Sequence, residues 1–174
     1  MRGQAPVWVD PTVLANKMEL TIKSQRIRKD SSVFGQIYFD DTDTEMYDAT
    51  ADADVPTHIK GKTIVVDPQM YLLRNLGSIN NTIVHECVHW HKHRKAFKLE
   101  KLFNADASHI SCEVLGEADS RISIKSTQYM ERQANQLAPR IQMPKEPFTI
   151  KAKEYIAYFM KQTNAKHTVD VMEM

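Results

Sequence analysis

The first apolar pattern in the chain has helical spacing. Asp10 suits the N-cap of a helix, and Pro11 suits its first position, where the N–H that proline lacks would be unpaired. Apolar residues then recur on one face at Val13, Leu14 and Met18, with Ile22 in phase with them. This spacing predicts an amphipathic helix that starts at residue 11.

Two later stretches have the continuous apolar character of buried strands. Residues 33–39, VFGQIYF, are rich in β-branched and aromatic side chains. Residues 63–66 form a short apolar run after Gly61, where we expect a turn. The acidic, turn-prone segment 40–56 lies between them and predicts either a loop or a short strand at residues 45–49.

The middle of the chain changes to helical spacing. We expect a helix that begins between Pro68 and Ile79 and continues through His93. Residues 99–123 show no clear hydrophobic periodicity, so the sequence does not predict their secondary structure.

The last part of the chain predicts two more helices. Residues 126–142 have helical spacing, with Ser126 as the N-cap and Pro144 beyond the end. Residues 151–162 predict the last clear helix. Because the predicted strands precede most of the helices along the chain, the pattern indicates an α+β fold.

Composition narrows the class of protein without changing these elements. The chain has 174 residues, of which 42% are apolar and 26% charged, and its formal net charge is +1. These values predict one soluble domain over residues 1–174, with no basic field that would attract nucleic acid or anionic lipid. No stretch approaches the roughly 20 apolar residues of a membrane span, and residues 1–11 lack the apolar region of a signal peptide. With two cysteines, we expect a reducing, cytoplasmic setting.

Residues 81–93, NTIVHECVHWHKH, hold four of the seven histidines. His85, Glu86 and His89 match the motif H-E-x-x-H. Residues four apart on a helix lie one turn apart on one face, so the two imidazoles can bind one Zn²⁺ at about 2.0–2.1 Å. Glu86 lies about 100° around the helix from His85, beside the metal rather than on it.

These residue types suit the hydrolysis of a peptide bond. From its position, Glu86 can take a proton from zinc-bound water as general base and pass it to the leaving amine. The side of the helix opposite the two histidines is apolar and includes Cys87. We therefore predict that Cys87 packs in the core and is not a metal ligand.

A catalytic zinc site needs a third protein ligand and one open position. Lys92 and Lys95 stand where a metzincin has Gly and His, so that class is excluded. His91 points to the far side of the helix. His93 is on the metal face but two turns, about 11–12 Å, from His85, too far for one ion to bind both. We expect His91 and His93 to support the ligands, face the substrate or lie on the surface.

A glutamate from a later segment is the alternative third ligand. The candidates are Glu100, Glu113, Glu117 and Glu131. Glu131 is the best placed chemically, because Asn135 follows it one turn later on the same helical face and could orient a ligand histidine. Spacing alone leaves a solvated Glu131 as an equal possibility.

Two motifs together resemble the ImmA/IrrE family of zinc metallopeptidases. They are TIVHECVHWHKH at residues 82–93 and ERQANQLAPRIQMP at residues 131–144. Family members typically pair an H-E-x-x-H helix with a later helix of the form E-x-E-A-N-x-F-A-x-x-L-L-M-P. The positions that match are Glu131, Ala134, Asn135, Ala138, Met143 and Pro144, and those that depart are Gln133, Leu137, Ile141 and Gln142.

The resemblance implies a zincin-like metallopeptidase domain, in which a small N-terminal sheet precedes the active-site helix and further C-terminal helices. It implies that His85, His89 and Glu131 bind Zn²⁺, as in gluzincins, and that Glu86 is the catalytic base. Characterised relatives are cytoplasmic bacterial or mobile-element proteins that regulate transcription by cleaving a helix-turn-helix repressor. We therefore expect a protein substrate of this kind, and no direct contact with nucleic acid or membrane.

Some features depart from the family pattern or stay unassigned. The gap from His89 to Glu131 is longer than is common, and residues 98–125 could form a flap or insert over the cleft. The oxyanion stabiliser is not assigned, although Tyr129 and His109 are candidates. Residues 167–174 resemble the start of another amphipathic helix, which predicts either a truncated chain or a natural frayed end.

Two other functions stay open at this stage. One is a non-catalytic zincin-like domain that binds a regulator without cutting it. The other is a structural metal site or a helical interaction protein. A non-catalytic binder has no chemical need for Glu86, so the intact motif favours the peptidase.

Overall fold

The computed structural model describes residues 8–103, 109–113 and 124–163, without the side chains of residues 100, 103, 109–113, 124–126 and 163. The chain divides into two compact units, one of residues Asp10–Gln142 and one of residues Met1–Val9 with Met143–Met174. The single domain expected over residues 1–174 stays a prediction. No helix in the described ranges is long and apolar enough to cross a membrane.

The described part of the larger unit contains helices, a short π-helical segment and strands. In chain order these are α1 (Pro11–Lys17), β1 (Thr21–Ser24), β2 (Val33–Tyr38), β3 (Thr42–Asp48), β4 (Ala53–Ile59), β5 (Thr63–Val66), α2 (Gln69–Leu73), α3 (Leu76–Val88), the π segment (His89–His93), α4 (Arg94–Phe103), β6 (His109–Glu113) and α5 (Ile124–Gln142). The described part of the smaller unit contains α6 (Lys145–Thr163).

The strands form two sheets. Four of them form a mixed sheet in the order β1-β5-β2-β6, in which β1 runs parallel to β5 and the other pairs are antiparallel. Strands β3 and β4 pair with each other as an antiparallel hairpin. The described elements are therefore of the mixed α+β class that the sequence pattern predicts.

Both faces of the central strands are buried, which explains why their sequences are continuously apolar. On one face lies a helix-side core, formed by Ala15, Leu20, Ile37, Phe39, Ile64, Val66, Ile83, Cys87, Phe97 and Met130. On the other lies a hairpin-side core, formed by Ile27, Val33, Tyr38, Met46, Ile59 and Val65. Cys87 is 1% exposed within the helix-side core, so its predicted core position is confirmed.

A β-bulge in β2 sets which residues face helix α3. In a regular strand, Val33, Gly35 and Ile37 would share one face of the sheet. The pairing of β2 with β6 shifts between Val33 and Gly35, and Val33 accordingly packs in the hairpin-side core. Gly35 and Ile37 then lie on the helix side, so β2 presents a residue without a side chain to α3.

Several element predictions are confirmed. The side chain of Asp10 caps α1 by accepting hydrogen bonds from the backbone N–H groups of Thr12 at 2.8 Å and Val13 at 3.2 Å. The two predicted strands correspond to β2 and β5, and every residue of β5 is buried.

Other element predictions need correction. Helix α5 begins at Ile124, so Ser126 is inside its first turn and the prediction of Ser126 as N-cap is wrong. The short strand predicted at residues 45–49 lies largely within β3, and the acidic segment as a whole is a hairpin rather than a loop. Met46, 0% exposed, anchors this hairpin in the core, while its acidic side chains remain outside.

The predicted flap or insert at residues 98–125 is described only in part. Its described parts are the end of α4, strand β6 and the start of α5. Strand β6 pairs with β2, so this part of the segment belongs to the central sheet. The C-terminal stretch 167–174 lies outside the described residues.

Candidate metal centre

Helix α3 and the π segment carry the H-E-x-x-H residues on a buried face. Helix α3 starts where the Asn75 side chain accepts a hydrogen bond from the Ser78 backbone N–H at 2.9 Å. His85 and Glu86 lie in its last turn, and His89 opens the π segment. His85 is 1% exposed, and Glu86 and His89 are 0% exposed. All three polar side chains are therefore removed from bulk water.

Helix α5 brings Glu131 to the same place. Met130, Ala134 and Ala138 form a buried line along α5 at intervals of one turn, and α5 packs against α3. Because two of these residues are alanines, the backbone of α5 can lie close to α3. Glu131, beside this line, extends its carboxylate to the two histidines.

Four donor atoms of these residues converge within hydrogen-bond distance. His85 Nε2 lies 2.9 Å from His89 Nε2. The carboxylate of Glu131 spans the pair, with Oε2 3.2 Å from His85 Nε2 and Oε1 3.1 Å from His89 Nε2. The side chain of Glu131 is 24% exposed, so the group has one partly open side. His85, His89 and Glu131 form a group that could hold a metal ion.

The electrostatics of the group favour a neutral imidazole at His89 and an ionised carboxylate at Glu131. Burial lowers the pKa of His89, although the carboxylate of Glu131 opposes part of this effect. Burial raises the pKa of Glu131, but the imidazoles of His85 and His89 beside its carboxylate outweigh burial and bring the pKa to about 2. A neutral imidazole and an ionised carboxylate are the forms that bind a metal ion.

The donor set fits a small divalent cation such as zinc. A tetrahedral ion with ligand distances of about 2.0–2.2 Å separates its ligand atoms by roughly 3.3–3.6 Å, close to the separations at this site. Despite its contact with His89, the buried Oε1 of Glu131 has no hydrogen-bond partner of good geometry among the described residues. Lone pairs that face one another in a buried site repel, and a cation between them removes the repulsion.

Glu86 lies beside this group, and its carboxyl group makes no hydrogen bond of good geometry among the described residues. Burial, and then the negative charge of Glu131, raise the pKa of Glu86 well above its ordinary value, and the backbone N–H of Ile37 offsets part of the rise. Glu86 therefore senses the charge of Glu131, and its carboxyl oxygens, without well-formed hydrogen bonds among the described residues, are available to exchange a proton.

Gly35 of β2 makes room for Glu86. A Cβ atom at this position would lie 2.5 Å from Thr82 Cγ2 and 3.3 Å from Glu86 Oε1. The first separation is shorter than carbon atoms tolerate without contact strain. The bulge that turns Gly35 toward α3 therefore allows the strand and the helix to approach closely at the site.

Substituting Gly35 with alanine is expected to lower the free energy of unfolding by about 1–3 kcal/mol, because the added methyl group overpacks against Thr82. Urea denaturation measures the change. Thr82→Ser removes the methyl group that would clash, so Gly35→Ala should cost less in the Thr82→Ser background. Additive effects of the two substitutions would show that the clash is not the cause.

Sequence reasoning assigned no definite role to His93, and Gln133 appeared only as a departure from the family motif. His93 is 4% exposed, and its Nδ1 lies 3.0 Å from Nδ1 of His89. Its Nε2 lies 3.0 Å from Oε1 of Gln133. The signal in the sequence was the spacing of His85, His89 and His93 at intervals of four residues.

Asn135 is not placed in the role expected for it. It is exposed on α5, and within the described ranges no hydrogen bond connects it to His85 or His89. The buried line of Met130, Ala134 and Ala138 turns the position of Asn135 toward solvent. Gln133, two residues earlier on α5, contacts His93 through its amide oxygen.

The other candidate residues are not part of the donor group, or their side chains lie outside the described residues. Tyr129 is 61% exposed, and its hydroxyl accepts a hydrogen bond from Nε2 of Gln133 at 2.8 Å. His91 is exposed on another side of the helix, as predicted. The candidates outside the described side chains are Glu100, His109, Glu113 and Glu117.

Comparison of the chain with protein-family models, with curated proteins and with solved structures found no significant match. The resemblance to the ImmA/IrrE family therefore stays a prediction based on the two motifs. The convergence of His85, His89 and Glu131 is a finding of the structure and does not depend on that resemblance.

Proposed function

We propose that the protein is a zinc-dependent endopeptidase that hydrolyses a peptide bond in a regulatory protein. The observation that carries this proposal is the His85–His89–Glu131 donor group, beside which the buried carboxyl group of Glu86 makes no well-formed hydrogen bond among the described residues. Two neutral imidazoles and one carboxylate are the ligand types of catalytic zinc in peptidases, and three protein ligands leave one position open.

The three ligand residues would hold the ion, and Glu86 would act next to it. When bound, a zinc ion supplies a Lewis acid that acidifies water, polarises the scissile carbonyl and, by its charge, offsets the repulsion between Glu86 and Glu131. Glu86 takes a proton from the attacking water and delivers it to the nitrogen of the leaving amine. Burial of His85 and His89 keeps their rings fixed and excludes competing solvent.

Burial of Glu86 also supports catalysis over simple binding. A carboxyl group that is 0% exposed and has no hydrogen-bond partner of good geometry costs stability, because it loses its hydration. A non-catalytic domain that only binds a regulator gains nothing from this cost. A catalytic residue does gain from it, because its oxygens have to be available to exchange a proton with the substrate at the moment of reaction.

The substrate class rests on the resemblance of the two motifs. Members of the ImmA/IrrE family cleave helix-turn-helix repressors, and we extend this to the present chain as a cytoplasmic regulator of transcription. The net charge of +1 agrees with a protein that acts on a DNA-binding partner without binding DNA itself.

Metal analysis of the purified protein tests the proposal. We expect one zinc ion per chain, which a chelator removes and added zinc restores. Replacement with cobalt should give the absorption spectrum of a four-coordinate site in which an added anion can occupy the open position. A chain that takes up no zinc, even after reconstitution, would rule out the peptidase, and a spectrum insensitive to added anions would indicate a closed structural site.

A further inference from the structure

A chain of hydrogen bonds leads from the metal-ligand candidate His89 to the surface of α5. His89 Nδ1 contacts His93 Nδ1 at 3.0 Å, and His93 Nε2 contacts Gln133 Oε1 at 3.0 Å. Gln133 Nε2 donates to the Tyr129 hydroxyl at 2.8 Å. The rings of His89 and His93 meet edge to face, with centroids 4.9 Å apart.

His93 follows His89 by four residues and ends the π segment. A π-helix closes its hydrogen bonds one residue later than an α-helix, so each turn is wider and holds more residues. In an α-helix, positions four apart drift around the axis by about 40°. The wider π turn changes this offset, and the ring of His93 lies against that of His89. π-Helical turns often occur at functional sites.

The direction of the hydrogen bonds determines which nitrogen of His89 carries the proton. Oε1 of Gln133 can only accept, so Nε2 of a neutral His93 donates to it and Nδ1 of His93 is left as an acceptor. Nδ1 of His89 must then donate to His93, which leaves the lone pair of His89 on Nε2. That lone pair faces Glu131 and His85.

We propose that His93 is a positioning residue for the metal ligand His89, and that Gln133 fixes the hydrogen-bond direction through which it acts. With this pair in place, the ring of His89 presents a lone pair to the metal position. If every hydrogen bond in this series ran in the opposite direction, Nε2 of His89 would carry a proton and could not bind a metal. The inference rests on the proposed function, since it requires a metal ion at the His85–His89–Glu131 site.

The zinc affinity of His93 variants, measured by competition with a chromophoric chelator, tests the inference. His93→Leu removes the acceptor, and we expect zinc to bind about 10–100-fold more weakly. His93→Asn places an amide oxygen near the position of Nδ1 and should recover most of the affinity. His91→Leu is the matched control, because His91 is an exposed neighbour outside the hydrogen-bond chain, and its affinity should equal that of the wild type.

Gln133 provides a second set of variants that disturbs the core less than His93. Gln133→Leu removes the acceptor for His93 and is expected to weaken zinc binding in the same direction. Gln133→Glu can only accept, so it should preserve the affinity. If His93→Leu fails to fold, as judged by circular dichroism, the two Gln133 variants decide the question.

The tautomers give a readout that a merely structural role would not produce. In the zinc-free protein, where no metal dictates the tautomer, ¹⁵N NMR of the imidazole rings should show His89 protonated at Nδ1 and His93 protonated at Nε2. Wild-type affinity in folded His93→Leu and Gln133→Leu, or the opposite tautomers, would overturn the inference and leave the peptidase proposal standing. A wild-type chain that binds no zinc would instead overturn both.

Discussion

Replacing Glu86 with glutamine is expected to reduce peptide-bond hydrolysis by about 10²–10⁴-fold, while the protein keeps one zinc ion per chain. Glutamine has nearly the same shape as glutamate but cannot take up a proton. Glu86 is not among the three donor residues that converge at the site, so the loss of its charge leaves the donor set intact. The fall should appear in the rate of the chemical step.

Cleavage should be measured by mass spectrometry, with a helix-turn-helix repressor and a library of proteome-derived peptides as substrates. Wild-type protein and Glu86→Gln are compared at equal zinc content, which separates loss of the base from loss of the metal. Equal cleavage by both proteins would exclude Glu86 as the general base. If a repressor is inactivated equally by both proteins without being cut, the non-catalytic binding function would be correct instead.

Replacing Glu131 with alanine is expected to weaken zinc binding by at least about 100-fold, more than the loss of a residue that only orients a ligand. The substitution removes both carboxylate oxygens that lie within 3.2 Å of the histidine nitrogens. It also removes the negative charge that balances the cation. Zinc content after dialysis against a chelator measures the effect. Glu131→Gln, which keeps an oxygen donor without the charge, should fall between alanine and the wild type.

Asn135→Ala is the matched control for Glu131, since Asn135 is exposed one turn later on the same helix. Its zinc content should equal that of the wild type. A loss in Asn135→Ala as large as in Glu131→Ala would show that Asn135 orients a ligand histidine, as the sequence predicted. Zinc retained by Glu131→Ala would direct the search to Glu113 and Glu117, the remaining glutamates between α4 and α5.

The sequence by itself determined the features that depend on local spacing. The four-residue interval between His85 and His89 places both rings on one helical face whatever surrounds the helix. The Asp10-Pro11 pair specifies the start of α1, because the cap needs only backbone N–H groups two and three residues later. The apolar run of β5 indicates a strand buried on both faces.

Only the tertiary structure decided which distant residue joins the two histidines. Glu100, Glu113, Glu117 and Glu131 were alternatives in the sequence, and the packing of α5 on α3 brings Glu131 to 3.1 Å from His89. A spacing of 42 residues carries no information about direction in space, because the connecting chain can place α5 in many ways.

The roles of His93, Gln133 and Gly35 also depend on contacts between residues that are distant in the sequence, so the sequence could not show them. The π turn that ends at His93 has no sequence signature comparable to that of an α-helix, and the contact of His93 with Gln133 spans 40 positions. The β-bulge that turns Gly35 toward Glu86 exists only where β2 pairs with β6. Local periodicity determined the metal-binding face of the helix, and long-range packing determined the residues that complete and support it.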